Sequence, residues 1–231
     1  MNSDSKKGEI LPSDGVAIHS DTPVTLLGGS EVNARDLDDS LARAPLLVAA
    51  DSGADRAMAL GYQPDRVIGD LDSISAGTRA ALPPGRLIHV AEQDSTDFEK
   101  ALSRIAAPGV LALGLTGRRT DHELAAWHVL LRHPVPPCIV LAAEDIVFLA
   151  PPRLDLDLPV GTRVSLFPMA SVTGRSTGLC WPIDGIDFAP GRTIGTSNRA
   201  SAPRVSLTFD ARAMLVILPK TQLSAALSAL I

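Results

Sequence analysis

From residue 22 to about residue 149, short apolar runs alternate with stretches of helical periodicity. The runs are 24–27, 46–50, 66–68, 87–90, 110–115 and 138–142. Unbroken apolar runs separated by helical segments predict strands buried on both faces, in a mostly parallel sheet covered by helices. Ser52 with Asp55 predicts a capped helix with an acidic first turn, and Gly61 its end. Thr96 with Glu99 and Thr120 with Glu123 predict capping boxes. The second box opens a helix that places Leu124, Trp127 and Leu131 on one face.

Beyond about residue 150 the pattern changes. Pro151, Pro152 and Pro159 interrupt it, and strict alternation follows: Val164 and Leu166 against Arg163 and Ser165, then Val205, Leu207 and Phe209 against Arg204, Ser206 and Thr208. Glycines and prolines punctuate these segments. The pattern predicts an all-β, sandwich-like or barrel-like C-terminal domain. Three parts are expected: a loose arm or peripheral strand over 1–21, an α/β domain over 22–150, and the β domain over 151–231.

At 231 residues and 45% hydrophobic content, the chain is long and apolar enough to bury a core in each domain. With 3% aromatic residues and a net charge of −5, neither a stacking platform nor a basic surface for nucleic acid is expected. The four lysines, Lys6, Lys7, Lys100 and Lys220, follow no glycine-rich loop, which excludes a Walker motif. Cys138 and Cys180 are too few for a disulfide framework. The polar opening MNSDSKKGEI lacks a signal-peptide core, and no apolar run approaches the ~20 residues of a membrane span. A cytoplasmic protein without membrane contact is expected.

The candidate chemistry lies in aspartates at predicted strand ends. Asp51 follows 46–50, Asp70 and Asp72 follow 66–68 in VIGDLDS, and Asp97 opens a helix in QDSTDFEKAL. Ligands of an open parallel sheet bind outside the carboxyl ends of its strands, so Asp51, Asp70 and Asp72 are expected to converge there, with Asp97 close by if its loop lies on the same edge. Clustered carboxylates suit Mg²⁺, a hard cation that prefers oxygen ligands and bridges phosphates. Each Asp alone reads equally well as a helix cap. The segment LGLTGRRTDHELAAWHVL offers Gly114 and Gly117 for close backbone approach, Thr116 and a helix N-terminus for an anion, and Arg118 and Arg119 for phosphate oxygens. An ordinary strand–helix loop with a solvated arginine pair fits that segment equally well. Of His19, His89, His122, His128 and His133, none has zinc-site spacing, and His122 alone is a candidate ligand contact.

In order, ADSGADRAMALG, PDRVIGDLDSIS, EQDSTDFEKAL and LTGRRTDHE resemble the signature blocks of the thiamine pyrophosphokinase family. STGLCWPIDG and GTSNRAS extend the resemblance, which spans residues 24 to about 219. It implies diphosphate transfer from Mg-ATP to thiamine, an α/β domain before a β-sandwich-like one, and a homodimer with active sites at the subunit interface. Asp70, Asp72 and Asp97 match its metal-binding and catalytic carboxylates, and Asp51 matches a further acid of the same cleft. Gln93, Ser95, Thr96, Lys100, Thr116, Gly117, Arg119, Asp121 and His122 fall in its ATP-binding blocks, Arg119 with a catalytic part. Trp181 matches a tryptophan that packs on thiamine from the partner subunit, and Ser197 and Asn198 match the thiamine-binding turn. Cys180 before Trp181 and the second arginine, Arg118, depart from the common pattern. A diphosphate transfer to another hydroxymethyl heterocycle, such as a pterin, and a non-catalytic nucleotide or thiamine sensor are the rival readings.

Overall fold

The computed structural model describes residues 15–231, so residues 1–14 of the expected arm lie outside the described residues. The chain divides into two compact units between Val129 and Leu130.

In the first unit, β1 (Ile18–His19) pairs in parallel with β6 (Ile105–Ala106) as a small separate sheet. The main sheet contains β2 (Val24–Leu27), β3 (Leu46–Ala50), β4 (Arg66–Gly69), β5 (Leu87–His89) and β7 (Val110–Leu113). They lie in the order β7-β2-β3-β4-β5, and every pair is parallel. β2 and β7 are buried throughout, which explains why they read as unbroken apolar runs. Thr25, the polar exception in β2, donates its hydroxyl to the Ala44 carbonyl at 2.6 Å. The chain runs outward from β2 to β5, then returns to place β7 on the other side of β2. The strand order therefore reverses at β2, where an open sheet forms its ligand crevice.

The helices are α1 (Ala34–Leu41), α2 (Gly53–Ala59), α3 (Ala76–Ala81), α4 (Asp97–Leu102) and α5 (Thr120–Arg132). Thr96 caps α4 as expected, its hydroxyl accepting from the Glu99 N–H. Ser52 stands before α2 but makes no side-chain cap bond, and Asp55 instead accepts from the N–H and hydroxyl of Ser75 at 2.9 and 2.5 Å. That contact ties α2 to the cap of α3. The box predicted at Thr120 does not form there, because Thr120 is already helical and the Glu123 carboxylate reaches back to the Gly117 N–H at 3.2 Å. The buried face of α5 is Ala126, Val129 and Leu130, and Leu124 is 63% exposed. A β-carbon on Gly53, at the start of α2, would lie 2.0 Å from the Leu27 carbonyl oxygen. Gly53→Ala is expected to cost about 3 kcal/mol through overpacking against backbone, read as a lower urea midpoint at unchanged m.

In the second unit, β8 (Cys138–Leu141), β9 (Asp145–Leu149), β11 (Arg163–Pro168), β13 (Gly195–Arg199) and β15 (Met214–Pro219) form antiparallel pairs in the order β13-β11-β15-β9-β8. β10 (Arg153–Asp157), β12 (Gly174–Thr177) and β14 (Arg204–Phe209) form an antiparallel sheet ordered β10-β14-β12. The terminal helix α6 (Leu223–Leu230) packs on β10. The run at 138–142 was expected among the parallel strands, but β8 pairs antiparallel with β9, since residues 142–144 are too short a link for a parallel crossover. β14 keeps its predicted alternation, with Val205, Leu207 and Phe209 buried. β11 does not: Ser165, expected on the solvent side, is buried with Val164 and Leu166.

Candidate active site

At the reversal point a cleft of about 410 Å³ opens at the carboxyl ends of the first unit's strands. Gly28, Gly29 and Ser30 after β2, Ser52 after β3, and Gly114 and Leu115 after β7 form its walls. The glycines are there because the backbones nearly touch. A β-carbon on Gly28 would lie 2.6 Å from the Gly114 oxygen, and one on Gly114 2.5 Å from the Gly28 oxygen. Gly114 also has φ +70, which favours glycine. Thr96, Asp97, Arg118, Arg119 and His122 complete the cleft among the expected residues. Gly28, Gly29, Ser30 and Ser73 were not singled out by sequence, and Ser52 only as a helix cap. Two glycines after an apolar run were the only signal, and that pattern also marks an ordinary turn.

Asp51, Asp70 and Asp97 each bring a carboxylate oxygen within 4.8 Å of the others. Asp51 is fully buried, and neither of its oxygens has a hydrogen-bond partner. Burial, followed by the charges of Asp97 and Asp70, pushes its pKa up to about 6. Burial also raises the Asp97 carboxyl, against the pull of Lys100. Asp70 behaves oppositely: burial alone would raise it, but the Lys100 ammonium, the Asp72 N–H and the Gln93 amide hold it at about 2. The Lys100 Nζ lies 2.8 Å from Asp70 Oδ2 and 3.5 Å from Asp97 Oδ1, and its side chain is only 2% exposed. Gln93 donates to Asp70 Oδ2 at 3.1 Å. Lys100 and Gln93 thus hold Asp70 rather than point at open space. Asp72 is exposed and outside the trio; its N–H donates to Asp70 Oδ1 at 3.3 Å and its carboxylate accepts from the Ser73 hydroxyl.

Three buried or half-buried carboxylates, two of them paired with the same lysine, leave a negative excess, and the oxygens of Asp51 have no hydrogen-bond partner. Oxygen-only donors with surplus negative charge fit a hard divalent cation such as Mg²⁺. The backbone is strained at the same place. Among the described residues only Asp51, Leu71 and Ser197 are non-glycine residues with left-handed φ, at 42°, 62° and 62°. The first belongs to this cluster and the second follows Asp70 directly.

Arg119 forms a two-point pair with Asp121, Nη2 to Oδ2 at 2.6 Å and Nε to Oδ1 at 3.1 Å. Both side chains are exposed, so little free energy holds Arg119 there and it can turn to a phosphate. Thr116 and Gly117 lie in the same loop outside the cleft lining. Ser95 is committed elsewhere, its N–H and hydroxyl both donating to Glu92.

In the second unit, a pocket of about 290 Å³ contains Trp181, Ser197 and Asn198, with Ile186, Phe188 and Ile194 as apolar walls. Trp181 is 55% exposed, an unusual position for so large a ring, and Asn198 is buried.

Residues 37–140 match the family described as thiamin pyrophosphokinase, catalytic domain. The chain is 30% identical over 202 residues to thiamine pyrophosphokinase 1 of Oryza sativa subsp. japonica, covering 73% of this chain and 76% of the relative. Thiamine pyrophosphokinase 1 of Arabidopsis thaliana is 26% identical over 189 residues, covering 71% of this chain and 68% of that one. Among solved structures, the thiamin pyrophosphokinase of Candida albicans superposes with a TM-score of 0.73 at 16% identity, covering 92% of this chain and 96% of its own. That of Geobacillus thermodenitrificans gives 0.71 at 22% identity, covering 88% and 99%.

Proposed function

The chain belongs to the thiamine pyrophosphokinase family, and we infer that it transfers the diphosphate of ATP to the hydroxyl of thiamine, giving thiamine diphosphate and AMP. The observation that carries the reading is the Asp51–Asp70–Asp97 cluster, set at the strand reversal beside Arg118 and Arg119. The cleft of the first unit takes the triphosphate. Gly28 and Gly29 let it approach the backbone closely, and Arg119 leaves Asp121 to pair with phosphate oxygens. Asp51, Asp70 and Asp97 would hold Mg²⁺, with Asp72 beside them. The ion, when bound, neutralises charge on the phosphate oxygens. Lys100 keeps Asp70 ionised and in place.

The thiamine oxygen attacks the β-phosphorus, the bond to the α-phosphate oxygen breaks, and AMP departs. The hydroxyl proton goes to a carboxylate. Asp97 is assigned that role, because burial raises its basicity and it lines the cleft. The pocket of Trp181, Ser197 and Asn198 takes thiamine, whose rings suit an exposed indole. The first unit, through Val129, is then the catalytic part and the second, from Leu130, the acceptor-binding part, a boundary earlier than the expected 150/151. A homodimer with active sites at the subunit interface and a cytoplasmic location complete the proposal. Among the described residues no helix is long and apolar enough to cross a membrane.

Incubation with thiamine, ATP and Mg²⁺ is expected to yield thiamine diphosphate and AMP in equal amounts, measured by anion-exchange chromatography. ADP with thiamine monophosphate would mean that the wrong bond has been assigned. Turnover of a hydroxymethyl pterin in preference to thiamine would transfer the mechanism to another acceptor.

A further inference from the structure

The side chain of Asn198 is spent largely on the backbone of its neighbours. Its Oδ1 accepts from the backbone N–H of Trp181 at 3.2 Å and from that of Arg199 at 2.8 Å, and its Nδ2 donates to the Trp181 carbonyl at 2.7 Å. An asparagine amide has two acceptor positions and two donors, so three of the four are used on backbone. Both backbone polar groups of Trp181 are thereby held by one buried side chain, while the indole itself stays exposed. The Arg199 guanidinium lies over that ring, 5.4 Å from its centre.

Below this clamp, β13 and β11 change register. Arg163 faces Arg199 and Val164 faces Asn198, but Leu166 faces Gly195, so β13 contains one extra residue. The bulge includes Ser197 in its left-handed conformation. Its N–H donates to the hydroxyl of Ser165 at 3.0 Å, and Ser165 is 4% exposed. The hydroxyl thus fastens a backbone conformation that serine does not adopt freely, and the bulge leaves Ser197 exposed and Asn198 buried.

We propose that Asn198 and Ser165 are positioning residues of the acceptor pocket: they fix the orientation of Trp181, whose face away from Arg199 receives a ring of the acceptor. The proposal rests on the reading of this pocket as the thiamine site.

The test uses a Trp127→Phe background, in which Trp181 is the single tryptophan. Asn198→Ala is expected to lower the fluorescence anisotropy of Trp181 and to raise KM for thiamine about tenfold, with KM for ATP changed by less than about twofold. Asn198→Asp keeps the acceptor and recovers part of the loss. Ser165→Ala moves both readouts in the same direction by about threefold or less in KM, and it carries the test if Asn198→Ala does not fold. In a Trp181→Ala background, Asn198→Ala adds no further cost, since its effect passes through the indole. An equal cost with and without Trp181 would make Asn198 a direct ligand contact and overturn the proposal, as would unchanged anisotropy. Trp181→Ala with an unchanged KM for thiamine would instead remove the acceptor-pocket reading, while the anisotropy would still decide the clamp.

Discussion

Asp70→Asn is expected to lower kcat by about a thousandfold, equivalent to about 4 kcal/mol of transition-state stabilisation, with the fold retained. Asp70 is the most strongly ionised member of the cluster, held at about 2 by Lys100, the Asp72 N–H and Gln93 against the effect of burial. Asparagine is nearly isosteric and can still accept from Lys100 and Gln93, so the packing survives. The charge does not: Lys100 retains only the weaker contact to Asp97 at 3.5 Å. The cleft loses the anion on which both the lysine and a divalent cation depend. Asp72→Asn is expected to cost less, about ten- to hundredfold, because Asp72 is exposed and reaches the trio through its backbone N–H rather than its carboxylate. AMP release at saturating ATP, titrated with Mg²⁺, measures both. Equal losses in the two variants would place Asp72 inside the cluster, and near-normal turnover in Asp70→Asn would remove the cluster from the reaction.

The elements at the cleft were legible where one local rule decides them. Apolar runs marked the five strands of the parallel sheet, and an acid following a run marked where the sheet exposes its ends. Asp51 and Asp70 were found that way, and Asp97 by its place at the start of a predicted helix. Asp72 could not be separated from Asp70 in the sequence, because the left-handed Leu71 between them changes the direction of the chain, and nothing in the residue type leucine announces it. Gly28 and Gly29 were missed for a related reason: their function is the absence of a β-carbon, which shows only once Gly114 and Ser52 are known to lie against them. In the second unit, period-two alternation assigned β14 correctly and failed at Ser165, because a bulge in the neighbouring strand covers the outward position. Alternation reads one strand at a time and does not see its partner. Leu124, Trp127 and Leu131 do share one face of α5, but the buried positions are Ala126, Val129 and Leu130, which the spacing of large apolar residues did not single out. The clefts and bulges, where function sits, are the places where the backbone departs from the patterns that sequence reading depends on.

Asp51→Asn is expected to stabilise the metal-free protein at pH 8 while removing its response to Mg²⁺. The carboxyl titrates at about 6 in the folded chain against 3.8 for an unperturbed aspartate. A folded pKa above the unfolded one means that the folded state favours the protonated acid. The stability this provides is complete below about pH 4 and is lost as pH rises through 6, amounting to about 3 kcal/mol by pH 8. Asparagine has no charge to bury, and it tolerates the left-handed φ of 42° at this position. Its amide can donate to the neighbouring carboxylates of Asp70 and Asp97. The metal-free variant is therefore expected to melt about 5 °C above the unsubstituted protein at pH 8, with the gap closing towards pH 4. Mg²⁺ should reverse the order. It removes the repulsion that Asp51 creates, so it raises the melting temperature of the unsubstituted chain and leaves the variant nearly unchanged. For the same reason Mg²⁺ binding to the unsubstituted protein should weaken as pH falls below 6, where the ion must displace a proton from Asp51. Calorimetric melting of both proteins at pH 4 and pH 8, with and without Mg²⁺, reads all of these effects. A variant less stable than its parent at pH 8 without metal would show that the Asp51 carboxylate is satisfied within the protein, and that the unpartnered oxygens are not a place kept for a cation.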